Sequence, residues 1–277
     1  MTLEQHSKLP RRSFKIYQVA LGQMRVPQAL VTQREFRRAH GDRLAAELDL
    51  DKIGFPILNH RDGIYWVLDG QHRLYALKKW FTDTDKIDCE VYEDLSDAEM
   101  AEMFLGRDNR RRIGSFDKFH VACTAGRKRE NDIRRMVESN GLRVGRTKEE
   151  KTIGAVAALG AVYDRSGEVV LGQTLRALRD GFGGDSAAFS PEMIQGLGLL
   201  FNRYNGRTNE KVLVARLAQN PHGVRGIVQR AQALRQRTGT QLVQCVAAAV
   251  VEMYNRGAAR TRDRLTDWWK GNGGAES

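Results

Sequence analysis

Cysteine is scarce in this chain of 277 residues: there are three, Cys89, Cys123 and Cys245, far apart in sequence. They form no CxxC pair and no zinc-ligand spacing, which excludes a disulfide framework, a thioredoxin-like redox motif and a zinc finger, and leaves core packing as their reading. His120 shares a helical face with Cys123, but no second pair accompanies them to complete a metal site. Long apolar runs are also missing. The longest candidate, 242–253, is interrupted by Gln244 and Glu252 and falls short of the roughly 20 residues that span a membrane. The N-terminus is polar and charged, unlike a secretory signal. There is no Ser-His-Asp set in order, no carboxylate cluster of nuclease spacing, no repeat and no low-complexity tract. Together these absences point to a cytoplasmic protein with no membrane partner, in a bacterium or a phage-infected one.

What is abundant is positive charge. The formal net charge is +11, and 41% of residues are hydrophobic, enough for a core. Residues 107–148 hold 13 Lys and Arg against 5 Asp and Glu, so most of the excess lies there. Arg110, Arg111, Arg127, Lys128, Arg129, Arg134 and Arg135 are the candidates for contacting a nucleic-acid backbone, since such clusters give affinity without reading sequence. DNA is the expected partner. A helix-turn-helix within 133–180 is one place for it, with Gln173, Thr174, Arg176 and Arg179 as side chains able to reach bases.

The pattern divides the chain into three parts: a polar N-terminus at 1–13, an α/β segment at 14–115 and a helical segment at 116–277. In the middle part, Phe55–Leu58, Ile64–Leu68 and 87–92 read as strands, and Arg43–Leu50 and Asp97–Gly106 as helices. Beyond it the strand signal fades. Phe116–Asn140 reads as helix broken near Gly126, Lys151–Tyr163 as helix, Asp164–Gly167 as a turn and Val169–Phe182 as helix. Ser190-Pro191 is a helix start. Further helices are expected over 209–219, 222–237 and 240–255, giving about six in the C-terminal part. Trp268-Trp269 suggests a helix that docks on the core or on a second copy of the chain, a homodimer.

The most informative stretch is Ile64–Lys79. A β-rich run stops at Asp69-Gly70, and a helical pattern starts at once, with Leu74, Leu77 and Trp80 in phase. Gln71, His72 and Arg73 therefore fall on the first turn of a helix leaving a strand. Unpaired N–H groups and a positive dipole meet there, and Arg73 and His72 add fixed and switchable positive charge. That is the chemistry of a phosphate pocket.

Asp69-Gly70-Gln71-His72-Arg73 in this setting resembles the ParB/sulfiredoxin-like family, whose members carry a Gly-rich, Arg-ending motif at a strand-to-helix turn. The phage and actinobacterial ParB-like subgroup is the nearest in motif. Gln33-Arg34-Glu35-Phe36 is similar to the family's first box, and Asp108-Asn109-Arg110-Arg111-Arg112 to its Glu-Asn-x-x-Arg box, with Asp108 in place of Glu. The resemblance covers roughly 14–125. It implies an N-terminal ParB/sulfiredoxin-like α/β domain followed by an all-helical C-terminal domain. It also implies a nucleoside triphosphate, CTP or ATP, with Mg²⁺. The phosphates would be held by Asp69, Gly70, Gln71, His72 and Arg73, closed over by Asn109 and Arg112, with Arg34 on the rim. Glu35, Asp69 and Asp108 are the carboxylates able to hold an ion or act in catalysis. Gln71 stands where sulfiredoxin-like proteins have Cys, which excludes their thiol chemistry. His72 replaces the Arg of partition-type proteins, which leaves base selectivity open.

The function so implied is a nucleotide-responsive DNA-binding or regulatory factor of phage or plasmid type, with slow NTP hydrolysis compatible with it. The competing reading is an enzyme, a metal-dependent DNase or an NTP-dependent phosphotransferase. A regulator whose pocket no longer binds nucleotide is a third.

Overall fold

The apolar run at Ile64–Leu68 belongs to a five-stranded mixed sheet in the computed structural model of the chain, which describes residues 12–28, 31–107, 114–256 and 264–266. The chain divides into two units, residues 1–127 and 128–277. In the first, β1 (Lys15–Ala20) leads through a 3-10 turn to the short β2 (Met24–Arg25). Then come β3 (Ile57–Arg61), β4 (Ile64–Asp69) and β5 (Lys86–Glu93), in the sheet order β1-β5-β3-β4-β2. β1 runs antiparallel to β5 with Tyr17 opposite Cys89, and β5 parallel to β3 with Val91 opposite Leu58. β3 runs antiparallel to β4 with Asn59 opposite Trp66, and β4 parallel to β2 with Tyr65 opposite Met24. The β3–β4 hairpin turns on Asp62 and Gly63, both at positive φ (54° and 72°). A two-residue type I′ loop demands that conformation, and Asp-Gly supplies it.

Side-chain alternation then sets two layers. Leu58 and Val67 join Val19, Cys89 and Val91 under Leu74 and Leu77 of helix α3 (Gln71–Leu77). Ile57 and Leu68 face the other way, onto Tyr92, Leu95 and Met100, the last on α4 (Asp97–Arg107). Asn59, fully buried on the side of Leu95 and Met100, donates to the Leu95 carbonyl and accepts from its N–H, both at 2.9 Å. It thereby fixes the turn from β5 into α4. Ser96 and Glu99 close a capping box at the head of α4. α1 (Arg38–Ala46), α2 (Leu50–Ile53) and α5 (Ser115–Thr124) complete the unit. All three cysteines are buried, and burial pushes the Cys89 thiol up to about 12, as core packing requires.

The second unit holds α6 (Lys128–Ser139), α7 (Val156–Phe182), α8 (Pro191–Arg203), α9 (Glu210–Ala218), α10 (Gly223–Thr238) and α11 (Leu242–Asn255). α8 packs between neighbours at close range. A Cβ on Gly196 would lie 2.5 Å from Val246 of α11, and one on Gly198 2.6 Å from Val162 of α7. Within α7 a single residue, Gly167, leaves helical geometry (φ 77°, ψ −177°).

Several sequence expectations shift. The helical part is not all-helical: β6 (Arg143–Val144) and β7 (Thr152–Ile153) pair in parallel. The helix expected from Lys151 starts at Val156, because Lys151 sits at positive φ (58°) and feeds β7. The turn expected at Asp164–Gly167 shrinks to the Gly167 kink, with Asp164 to Ser166 inside the helix. The helix expected over Arg43–Leu50 runs instead over Arg38–Ala46, and α2 follows. α5, which the pattern placed at the head of the C-terminal part, belongs to the first unit. Trp268-Trp269 lies outside the described residues.

Candidate functional site

β4 delivers Asp69 to the sheet's end, Gly70 turns the chain, and α3 begins at Gln71, as the residue pattern predicts. Gly70 has φ 110°, and a Cβ there would meet Pro56 at 3.4 Å and the Arg73 guanidinium at 3.5 Å, ordinary contact distances. Backbone conformation is what selects glycine. Arg73 folds back under this turn. Its Nη2 donates to Asp69 Oδ2 at 2.9 Å, and its Nη1 to the Phe55 carbonyl. One guanidinium thus ties the end of β4 to the start of β3.

The opposite wall is the segment before α1. The Gln33 side chain, 2% exposed, donates to the Val67 carbonyl, and Gln71 Nε2 donates to the Arg34 carbonyl at 2.9 Å. These two amides lace residues 33–34 to β4 and α3. The Arg37 N–H donates to His72 Nε2 at 3.1 Å, and the His72 ring lies against Phe36 and His40, with centroids 4.9 and 4.8 Å away. His72 was expected as switchable positive charge. Buried, and accepting at Nε2, it positions this segment.

Between the walls lies a cavity of about 220 Å³, lined by Arg34, His40, Lys52, Asp69–Arg73 and, at its apolar side, Leu44, Ile53 and Phe104. Three of these, Arg34, Lys52 and Arg73, are fixed cations, against one carboxylate, Asp69. Lys52 is held by Asp49 at 2.6 Å and Arg73 by Asp69. The Arg34 side chain makes no hydrogen bond or ion pair with any described residue. A half-buried guanidinium beside a cavity, its donors unspent, is ready for an anion.

The motif pattern did not point to Asp117. It is 3% exposed on the first turn of α5; burial pushes its carboxyl up, while Arg37 and Arg34 pull it down. Its only sequence signal is an acid early in a helix beside Phe116 and Phe119. Also missed were Gln33, His40 and Lys52 as lining groups, which become neighbours only through the folding of α1 and α2.

The remaining expected residues divide. Asp108, Asn109, Arg110, Arg111 and Arg112 lie outside the described residues. Glu35 is exposed and does not line the cavity. Of the two proposed Mg²⁺ carboxylates among the described residues, Glu35 and Asp69, Asp69 lines the cavity, and Arg73 already holds it. Among the described residues no three His, Cys, Asp or Glu gather to hold a metal ion. The described lining offers one carboxylate, Asp69, to an ion. Much of the basic cluster is spent internally. Arg127 forms a double contact with Glu102, Lys128 and Arg135 share Asp132, Arg129 grips Asp164 at 2.6 Å through two nitrogens, and Arg134 donates to Asn131. No helix among the described residues is long and apolar enough to cross a membrane.

Comparison with known proteins adds a family and little else. A family model described as a family of unknown function, DUF6551, matches residues 26–261. No curated protein matches the sequence. Two of the solved structures similar to this chain are the following. One is a C-terminally truncated chromosome-partitioning protein ParB from Caulobacter crescentus complexed with CTP-γ-S, at 12% identity and TM-score 0.30, covering 58% of this chain and 98% of that one. The other is a pNOB8-like ParB N-domain, at 14% identity and TM-score 0.40, covering 86% and 96%. At such scores neither likeness carries an argument about ligand or partner.

Proposed function

Starting from the premise that this chain belongs to the DUF6551 family of unknown function, we propose that its N-terminal unit binds the phosphates of a nucleoside triphosphate and that the protein is a nucleotide-responsive DNA-binding factor of phage or plasmid type. The observation that carries the reading is Arg34, a cavity-lining guanidinium with no hydrogen bond or ion pair to any described residue, set beside Lys52, Arg73 and the Gly70 turn. The resemblance of Asp69–Arg73 to the ParB/sulfiredoxin-like motif supports it, as does the net charge of +11. The cavity's 220 Å³ is below the roughly 300–1,000 Å³ that bury a drug-sized ligand. It suits the phosphate end of CTP or ATP, with Mg²⁺ carried on the ligand. The amides of Gln33 and Gln71 are spent on backbone carbonyls, so the described lining offers charge rather than base-reading groups.

The enzyme reading is the weaker one. Asp69, the carboxylate at the cavity, is paired with a cation and is thereby a poorer metal ligand. Titration calorimetry with CTP, ATP, GTP and UTP, each with and without Mg²⁺ and duplex DNA, tests the proposal. Binding of at least one triphosphate, with DNA affinity that changes on its addition, is the expected result. Heat-silent titrations with all four, confirmed by equilibrium dialysis, would overturn it.

A further inference from the structure

The exposed face of α10 carries a second kind of anion chemistry, distinct from the pocket. α9 is capped by Asn209, whose Oδ1 accepts from the Val212 N–H at 3.2 Å, and residues 219–222 turn the chain directly into α10. α10 buries Val224, Ile227, Ala231 and Leu234 on one side. On the opposite side, Arg225, Gln229, Gln232 and Gln236 follow one another at helical spacing, all exposed. Arg235 and Arg237 flank that row. Arg230 is committed elsewhere: its Nε and Nη2 reach Glu252 of α11 at 3.1 and 3.0 Å, which anchors the helix from behind.

Two facts separate this face from an ordinary solvated one. Gly223–Thr238 contains no Asp or Glu, whereas exposed helices usually mix signs. Arg225, Arg235 and Arg237 also make no hydrogen bond or ion pair with any described residue. By contrast, Arg127, Lys128, Arg129 and Arg135 must break internal carboxylate pairs before they can meet a phosphate. Net charge by segment therefore points to 107–148, but uncommitted charge points to α10.

We infer that α10 is a nucleic-acid reading helix: its Arg225–Gln229–Gln232–Gln236 row faces base edges in the major groove of duplex DNA, and Arg235 and Arg237 contact the flanking phosphates. The inference rests on the DNA half of the function proposed above and names its surface. The chemistry matches the occupant. Arg pairs with guanine O6 and N7, Gln with adenine N6 and N7, and a helix fits the groove's width of about 12 Å. From Arg225 to Gln236 the row spans about 16 Å at 1.5 Å per residue, enough for several successive base pairs.

Fluorescence anisotropy with a random-sequence duplex, and with a duplex selected from a random pool, between about 50 and 200 mM salt tests it on the full chain. The triple variant Arg225→Ala, Arg235→Ala, Arg237→Ala should bind more weakly, and its log–log salt slope should flatten by about two units, roughly one for each phosphate that Arg235 and Arg237 no longer neutralise. The double variant Gln229→Ala, Gln232→Ala should lose preference for the selected site while keeping its salt slope. Amide exchange on the unmodified protein should show Gly223–Thr238 protected when duplex is added, a readout independent of whether variants fold. A wild-type slope in the triple variant, or no protection of α10 in a protein that binds DNA, overturns this surface and leaves the DNA reading standing. Preference for single-stranded RNA over duplex overturns the groove assignment. No binding to any duplex at the lowest salt removes both surface and partner, whatever the nucleotide titrations show.

Discussion

Replacing Arg34 with alanine separates ligand binding from folding at the pocket. The side chain is half-buried and makes no hydrogen bond or ion pair with a described residue, so its removal strips no donor or acceptor of its partner, and the buried Asp117, which its charge also favours, keeps Arg37. Stability should change by no more than about 0.5 kcal/mol, a melting shift of about 3 °C or less. A charge-assisted contact to phosphate is worth about 1.5–3 kcal/mol, which converts to a loss of about 10- to 150-fold in triphosphate affinity. Arg73→Ala makes the counterpart. That guanidinium holds Asp69 and the Phe55 carbonyl, so its loss costs both binding and roughly 1–3 kcal/mol of folding stability, toward the lower end because both side chains keep solvent access. Calorimetric titration paired with thermal melts, at one salt concentration because exposed charge is screened, distinguishes the two. Unchanged affinity in a well-folded Arg34→Ala protein refutes the reasoning. So does a melting loss in Arg34→Ala as large as that in Arg73→Ala.

Three further outcomes follow from local physics. Asp117 has its carboxyl raised by burial, so its neutral form favours the fold; stability should fall as pH rises above the ordinary carboxylate range, and Asp117→Asn should flatten that decline in melts run from pH 4 to 8. Glu99 behaves with the opposite sign: Arg12 and the Ser96 cap hold its carboxyl down to about 2, so its contribution is present above the usual value and fades as pH drops toward 2, and Glu99→Gln should show a shallower acid unfolding curve. Gly196→Ala forces a methyl to 2.5 Å from Val246 and should destabilise the helical unit by about 1–3 kcal/mol, read as a lower denaturation midpoint with unchanged slope.

The strand-to-helix turn at Asp69–Arg73 was legible in sequence because two periodicities meet there and Gly70 marks the join. The partners of its side chains were not. Arg73 looks like a ligand group from spacing alone, and only the approach of β3 to β4 shows that Asp69 and Phe55 claim it first. Nor does spacing show that the Arg37 N–H donates to His72. Helices α8 to α11 were readable from apolar phase and from Ser190-Pro191, since each is a long local signal. β6 and β7 were not, because two-residue strands carry no period; pairing between distant residues defines them. In the basic run at 107–148 composition counts charges, and only the structure shows that Arg127, Lys128, Arg129 and Arg135 already have counterions.

The kink at Gly167 bears on how the helical unit breathes. Its φ of 77° with ψ of −177° is a conformation essentially reserved for glycine. It interrupts the ladder of amide bonds from each residue to the carbonyl four before it. The span Val156–Phe182 is thus two mechanical segments joined at a point, each of which can fray without unzipping the other. In hydrogen–deuterium exchange the amides just after Gly167 should label early, dividing α7 into two blocks with separate opening free energies. Filling position 167 with alanine strains the joint and does not splice the blocks into one rod.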